Sequence, residues 1–287
     1  HLHAQMLFFY PGGSMNSSEI IRLALAEDIG SGDISTAYLE LEPVPEKAFM
    51  IAKAKGVLAG LDIAREVFLT VDKSLKITLY SRDGDEVKPG SEIMRVEGNP
   101  ASILQGERTA LNFLQRMSGI ATLTRSMVRE LEGTSVRLLD TRKTTPLLRG
   151  LEKYAVRVGG GFNHRFGLYD MVMLKENHIR ACGGITEAVN RVKKHNTAHK
   201  IEVEVTNIHE LEEAVSAGVD RVMLDNMNLT QIRACVRRFG KKVELEVSGG
   251  VTLANIAKLA QTGIHYISSG ALTHSYQSLD ISLLFKE

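Results

Sequence analysis

Cysteine is scarce in this chain: two among 287 residues, Cys182 and Cys235. They stand far apart, without the close spacing of a zinc or redox motif and without the density of a disulfide scaffold. The reading that follows is two reduced thiols in a cytoplasmic protein. Net charge is scarce as well. Lys and Arg number 35 against 34 Asp and Glu, a formal +1. No global field therefore draws the chain to nucleic acid or to a membrane surface, and any basic site must be local. No apolar run approaches the roughly 20 residues needed to span a bilayer. A Gly-x-x-x-x-Gly-Lys-Ser/Thr run is also missing, which removes a nucleotide P-loop.

What is there is ordinary globular composition, 44% hydrophobic and 24% charged. The length fits one large domain, or a barrel of roughly 150–250 residues with a smaller partner. Residues 1–14 lack a basic region, a long apolar stretch and a small-residue cleavage site, so they make a poor signal peptide. Met15-Asn-Ser-Ser reads as a true start behind an added leader.

Residues 15–118 read as a small α+β domain. Ser17–Ala26 is helical until Gly30-Ser31-Gly32-Asp33 interrupts it, and short β-like pieces follow at 48–54, 57–60, 75–80 and 91–97. Asp83-Gly84 and Pro89-Gly90 are turn signals between them, and a helix over 103–117 ends this part. Beyond it, apolar strand-like runs recur at 136–139, 171–174, 201–205, 221–224, 243–247 and 265–268, the last four starting roughly 20–22 residues apart. Helical stretches fill the gaps, for example Ile208, Leu211 and Val215 before Gly218. This alternation predicts an open or irregular parallel α/β barrel over 119–275. The smaller N-terminal α+β part is sandwich-like, and the tail 276–287 is a candidate addition to it. A doubly wound open sheet is the alternative.

Several of these strands carry charge in a telling pattern. In Lys200–Val205 and Val243–Val247, glutamates alternate with aliphatics. If Ile201, Val203 and Val205 pack outward on helices, then Glu202, Glu204, Glu244 and Glu246 point into the barrel, where a lone carboxylate is costly. Asp225 and Lys175 follow their strands on the same inner side. A single such strand is as well explained by a solvated edge. Four together, near the end of the barrel that carries active sites, predict a mixed-charge pocket able to hold a metal ion and an anion.

Two glycine loops extend that expectation. Ser248-Gly249-Gly250 leads toward a helix that Thr252 could cap, and Ser268-Ser269-Gly270-Ala271 follows the next strand. Either alone reads as a tight turn. As a pair after the last two strands of a barrel they predict phosphate binding. Cations gather in Asp140-Thr-Arg-Lys-Thr-Thr-Pro146, Gly159-Gly-Gly-Phe-Asn-His-Arg165 and Lys175-Glu-Asn-His178. These lie in loops at strand ends, where a guanidinium grips a carboxylate with two hydrogen bonds.

Those three segments closely resemble the quinolinate phosphoribosyltransferase family (nicotinate-nucleotide pyrophosphorylase, carboxylating). So do Glu107–Asn112, Ser118–Thr122, Lys153–Arg157, Leu224–Asn226, Ser248–Gly250 and Gly270–His274, in the same order along nearly the whole chain after the leader. A departure is Leu147, where the family commonly has glycine. The resemblance implies transfer of a phosphoribosyl group from phosphoribosyl pyrophosphate to the ring nitrogen of quinolinate. Pyrophosphate and CO2 leave, and nicotinate mononucleotide goes toward NAD. It implies that Thr141, Arg142, His164, Arg165 and Lys175 bind the quinolinate carboxylates, with Lys143 between the two substrates. Glu204 and Asp225 would hold the ribose hydroxyls and Mg²⁺, and Ser248, Gly249, Gly250, Ser269, Gly270 and Ala271 the 5′-phosphate. Lys143, Glu204 and Asp225 are the implied catalytic set. Arg108 matches an arginine that enters the neighbouring subunit's site, which implies a homodimer at least.

Three other readings compete. One is the related phosphoribosyltransferase-like protein associated with molybdate transport, against which the Asn163-His164-Arg165 set weighs. Another is a Schiff-base lyase using Lys175, though an amine among carboxylates lacks the apolar pocket that lowers its pKa. The third is a biotinyl or lipoyl carrier, suggested by Asp83–Gly90; Arg95–Pro100 offers no lysine at the expected hairpin tip.

Overall fold

The computed structural model describes residues 17–42, 44–195 and 198–286. The leader at 1–14 lies outside them. The described residues form two compact units: 17–123 with Thr145–Gly159 and 276–286, and Thr124–Thr144 with Gly160–Ser275. The segment 145–159, expected with the barrel, thus groups with the first unit.

The chain opens with α1 (Ser17–Ile29), which buries Ile21 and Leu25, and α2 (Ile34–Tyr38), capped by the Asp33 carboxylate on the Thr36 amide. Next come β1 (Glu46–Ala52), β2 (Gly56–Val57), α3 (Leu61–Val71), β3 (Lys76–Leu79), β4 (Glu86–Val87), β5 (Glu92–Gly98) and α4 (Pro100–Arg129). The helix α3 stands where the sequence suggests only strands and turns. Its Leu61, Ala64, Val67 and Phe68 make a buried stripe. Its cap is remote: Gly60 has no side chain, and Asp83 accepts the amides of Gly60 and Leu61 at 2.9 and 3.0 Å. Asp83 is therefore more than a turn residue.

The last of these helices, α4, runs well past the expected end at Met117. Ser118-Gly119 lies inside it. Glycine at 119 serves close packing: a methyl there would collide with the Gln277 carbonyl oxygen. Because β5 leads straight into α4 at Pro100, no hairpin tip exists at 95–100 on which a carrier lysine could stand.

Beyond α4 the chain forms β6 (Arg137–Leu139), then α5 (Arg149–Val158), β7 (Val172–Leu174), α6 (Glu176–Cys182) and α7 (Ile185–His195). It continues through β8 (Ile201–Val205), α8 (Ile208–Ser216), β9 (Arg221–Asp225), α9 (Leu229–Phe239), β10 (Glu244–Ser248), α10 (Ile256–Ala260), β11 (Tyr266–Ser268), α11 (Ala271–His274) and β12 (Ile281–Phe285). In the first unit an antiparallel sheet has the order β12-β1-β5-β3, with β2 and β4 pairing separately. There α5 buries Glu152 completely, with the Arg116 guanidinium at 2.5 Å and the Thr145 amide at 3.2 Å as partners.

In the second unit six parallel strands lie in the order β6-β11-β10-β9-β8-β7. The first strand of the unit pairs with the last, which is the cyclic order of a barrel. It is an open one: the far side of β6 is met only by an isolated bridge from Leu139 to Phe162. Ile201, Val203, Val205, Val222, Leu224, Leu245 and Val247 are buried on the outward side, each worth roughly 1.5–3 kcal/mol of transfer free energy. Inward residues fall into rows by register: Glu202, Arg221 and Glu244; then Glu204, Met223 and Glu246; then Asp225 and Ser248. Among the described residues no helix is long and apolar enough to cross a membrane.

Candidate active site

Two basic loops are locked together by one buried acid. Asp140, wholly buried after β6, accepts the His164 amide at 2.8 Å and the Asn163 side chain at 2.5 Å. From that anchor the chain turns tightly. Thr141 Oγ1 accepts the Lys143 amide at 3.1 Å, and the Thr144 amide returns to the Arg142 carbonyl at 3.0 Å. The Thr273 hydroxyl, itself buried, donates to the Lys143 carbonyl at 2.7 Å. The aliphatic stem of Lys143 crosses Gly270, where a methyl would come within 2.8 Å of its Cδ. Glycine at 270 leaves that path clear.

Opposite the cations stand carboxylates. Glu204 on β8 pairs with Lys175, Oε2 to Nζ 2.9 Å, and Lys175 begins α6 at the end of β7. Asp225 closes β9 and accepts from Asn226 Nδ2 at 2.9 Å. Asn226 holds a left-handed φ of 52°, which asparagine tolerates better than most residues. Across from it Gly249 has φ 95°, and a methyl there would collide with the Asn226 side chain. The backbone of Ser248-Gly249-Gly250 follows from that contact.

The helix after this turn begins later than expected. Thr252 caps nothing; its amide donates to Asn255 Oδ1 at 2.9 Å, while Asn255 Nδ2 reaches back to the Gly250 carbonyl. That side-chain-closed turn delays α10 to Ile256. By contrast β11 passes at once into the short α11 through Ser269-Gly270.

These parts line one cavity of about 920 Å³ that lies wholly in the second unit. The structure brings Thr141, Arg142, Lys143, His164, Arg165 and Lys175 to it, with Glu204 and Asp225. Both glycine loops reach it, through Ser248, Gly249 and Gly250 on one and Ser269, Gly270 and Ala271 on the other. Arg142 Nε is buried with no hydrogen-bond partner among the described residues. Arg165 Nη1 reaches only a carbonyl, that of Met171 at 3.3 Å, and burial together with the neighbouring Arg142 charge lowers its pKa. Two guanidiniums sharing a cavity without a carboxylate between them form a site for an anion. Arg108 belongs to the first unit, exposed on α4.

The inward glutamates divide by depth, which corrects the single mixed-charge pocket expected from their alternation. Only Glu204 lines the cavity. Glu244 starts β10, where Tyr266 Oη donates to it at 2.8 Å and Arg221 at 3.3 Å. Glu202 and Glu246 are fully buried. His164 Nε2 lies 3.0 Å from Glu202 Oε2 and 3.5 Å from Glu246 Oε2, and Arg221 Nη1 donates to Glu246 at 3.1 Å. Burial alone would lower the imidazole pKa, but the two carboxylates outweigh it and hold His164 up at about 9. Burial, with the Glu246 charge beside it, pushes Glu202 up. The cluster therefore keeps a proton at neutral pH, and with Arg221 this balances the two acids.

Sequence reasoning assigned no role to Met173, Met223, Asn226 or His274, all of which line the cavity. The strand alternation that picked out Glu204 and Asp225 also points Met173 and Met223 inward.

Known proteins were compared once this geometry was clear. The model of the quinolinate phosphoribosyl transferase N-terminal domain matches residues 33–118, and that of the C-terminal domain residues 120–284. The Bacillus subtilis (strain 168) protein named "Probable nicotinate-nucleotide pyrophosphorylase [carboxylating]" is 46% identical over 259 residues, 90% of this chain and 89% of that one. The Nicotiana tabacum protein named "Quinolinate phosphoribosyltransferase [decarboxylating] 2b, mitochondrial" is 42% identical, covering 92% and 81%. Among solved structures, the nicotinate-nucleotide pyrophosphorylase of Francisella tularensis superposes with a TM-score of 0.91 at 44% identity, over 94% of this chain and 96% of that one. With both domain models matched and the fold shared throughout, this chain belongs to the quinolinate phosphoribosyltransferase family.

Proposed function

We propose that this protein transfers the phosphoribosyl group of phosphoribosyl pyrophosphate to quinolinate with decarboxylation, a step of NAD biosynthesis. The observation that carries the reading is the cavity of a family member in which Arg142 and Arg165 stand without acid partners, beside two carboxylates and two glycine turns. Arg142, Arg165 and Lys175, with Thr141 and His164 at the same wall, take the quinolinate dianion. Lys143 spans the two substrates. The turns at 248–250 and 269–271 take the 5′-phosphate on main-chain amides.

As the bond from ribose C1 to pyrophosphate breaks, positive charge grows on the sugar, and Glu204 and Asp225 stabilise it electrostatically. The pyridine nitrogen forms the new bond to C1. Once alkylated, the ring draws in the electron pair of the bond to the 2-carboxylate, CO2 departs, and a proton takes its place on the ring. Arg and Lys hold the carboxylates without protonating them. Mg²⁺ fits the donor set: Glu204 and Asp225 are hard oxygen ligands, too few for a protein cage but typical for an ion that shares its sphere with pyrophosphate and water. When bound it would neutralise the leaving group.

A homodimer completes the site, with Arg108 from the second copy reaching quinolinate. The two cysteines, both free thiols, agree with a cytoplasmic setting. Against a Schiff-base lyase, Lys175 is half exposed and ion-paired with Glu204; borohydride trapping with a carbonyl substrate would reveal one. The direct test is CO2 release from 2-carboxyl-labelled quinolinate. Release that depends on phosphoribosyl pyrophosphate and Mg²⁺ is expected. No release from folded protein would defeat the reading and leave the molybdate-associated relative's chemistry to be tried.

A further inference from the structure

The wholly buried acids beneath the cavity are not needed for contact with substrate. Glu202 and Glu246 have no exposed surface. Burying two carboxylates side by side is expensive, and an apolar pair of similar volume would usually be at least as stable. Their geometry suggests what they do instead. Both aim at Nε2 of His164, at 3.0 and 3.5 Å. The other ring nitrogen, Nδ1, accepts the main-chain amide of Arg165 at 2.7 Å. With both nitrogens facing protein partners, the imidazole has none directed at a carboxylate in the cavity. The ring is a strut between the acids and the backbone of Arg165.

The strut has a rigid base. Arg221 donates to Glu246 at 3.1 Å and to Glu244 at 3.3 Å, and stacks on the Tyr266 ring, 3.9 Å from its centroid. A continuous run of contacts therefore passes from Tyr266 through Arg221, Glu246 and His164 to Arg165. At its upper end the His164 amide is tied to Asp140 at 2.8 Å, which limits the loop from the other side. The same three side chains, His164, Glu202 and Glu246, have ligand atoms close enough for a metal ion. Arg221 against Glu246 puts a fixed positive charge where that ion would sit.

We propose that Glu202 and Glu246 are positioning residues that set Arg165, through His164, for the anion it grips. This rests on the reading of Arg165 as a quinolinate-binding cation. His164 then acts on quinolinate through Arg165 and not as a direct ligand. Full-length protein carrying His164→Leu, His164→Gln or Glu246→Gln would be compared with wild type in steady-state kinetics for both substrates, with folding followed by circular dichroism.

Leucine should raise the quinolinate KM about tenfold, the equivalent of one well-placed hydrogen bond, while the phosphoribosyl pyrophosphate KM stays within about twofold. Glutamine keeps a donor for the acids and an acceptor for the Arg165 amide, so it should recover most of the loss. Glu246→Gln should shift the quinolinate KM in the same direction as leucine. The proposal is overturned if glutamine fails as badly as leucine while Glu246→Gln leaves the quinolinate KM unchanged, the pattern of a direct ligand. Equal rises in both KM values with no rescue, or a stoichiometric metal held by wild type and lost in Glu246→Gln, would overturn it too. Should the leucine variant not fold, glutamine and Glu246→Gln against wild type decide. If Arg165→Ala leaves the quinolinate KM untouched, it is the quinolinate reading that fails, independently of the strut.

Discussion

Leu147 occupies a backbone conformation that suits another residue. Its φ is 67°, in the left-handed region, and its side chain is 65% exposed. An L-residue held there gives up roughly 1–2 kcal/mol relative to the right-handed basin, whereas glycine gives up almost none. Replacing it by glycine relieves that strain but frees the unfolded chain, which takes back about 0.4–1 kcal/mol. Little burial is lost, because the side chain is mostly in water. Leu147→Gly should therefore stabilise the protein by about 0.5–1 kcal/mol, a rise in Tm of about 1–4 °C for units of this size. Leu147→Ala is the control. It shortens the side chain and keeps the strain, so it should stay within about 0.5 kcal/mol of wild type. Urea and thermal unfolding of the three proteins would measure both effects. A lower midpoint for glycine, or an equal gain for alanine, would refute the argument from backbone strain. The departure from the family's usual glycine is then a tolerated cost with a definite size.

Other outcomes follow from the site. Arg165→Ala removes charge-assisted hydrogen bonds worth roughly 1.5–3 kcal/mol, so the quinolinate KM should rise about 10- to 150-fold with Tm nearly unchanged; wild-type kinetics would remove Arg165 from the site. Gly249→Ala forces a side chain onto φ 95° and into Asn226. It should raise the KM for phosphoribosyl pyrophosphate more than that for quinolinate, and the reverse order would count against a phosphate role for this turn. The stability profile with pH has a definite sign. The His164 pKa is raised from 6.5 to about 9, so its contribution is fully present below pH 6.5 and is lost as pH rises through 9. Tm measured from pH 6 to 10 should fall across that window in wild type and fall less in His164→Gln. Parallel curves would show that the cluster holds no extra proton.

The parallel strands were legible because each writes its environment into four or five consecutive residues. Ile201–Val205 alternates aliphatic and acidic, and the structure buries Ile201, Val203 and Val205 as that pattern requires. The helix α3 was not legible despite a buried stripe. Its start is capped by Asp83, a residue 22 positions away in the chain from Leu61, and no local signal marks a cap supplied from another turn. The extent of α4 was missed for a related reason. Ser118-Gly119 looks like a break until the tail at Gln277, far along the chain, is seen to require a glycine opposite it.

The same distinction between local and remote information governs the site itself. Alternation tells which side of the barrel wall a glutamate faces, and it did so for Glu202, Glu204, Glu244 and Glu246 alike. It says nothing about height along the barrel, which depends on how neighbouring strands are staggered. The pairing of Glu202 and Glu244 with Arg221, and of Glu204 and Glu246 with Met223, is fixed between strands and not within any of them. Four acids that look equivalent in sequence therefore separate into three environments. Glu244 stands with Tyr266 and Arg221, Glu202 and Glu246 lie buried under His164, and Glu204 lines the cavity beside Lys175. Substituting each of the four by glutamine should accordingly give three kinetic classes. A single uniform phenotype would mean that depth in the barrel does not decide what these carboxylates do.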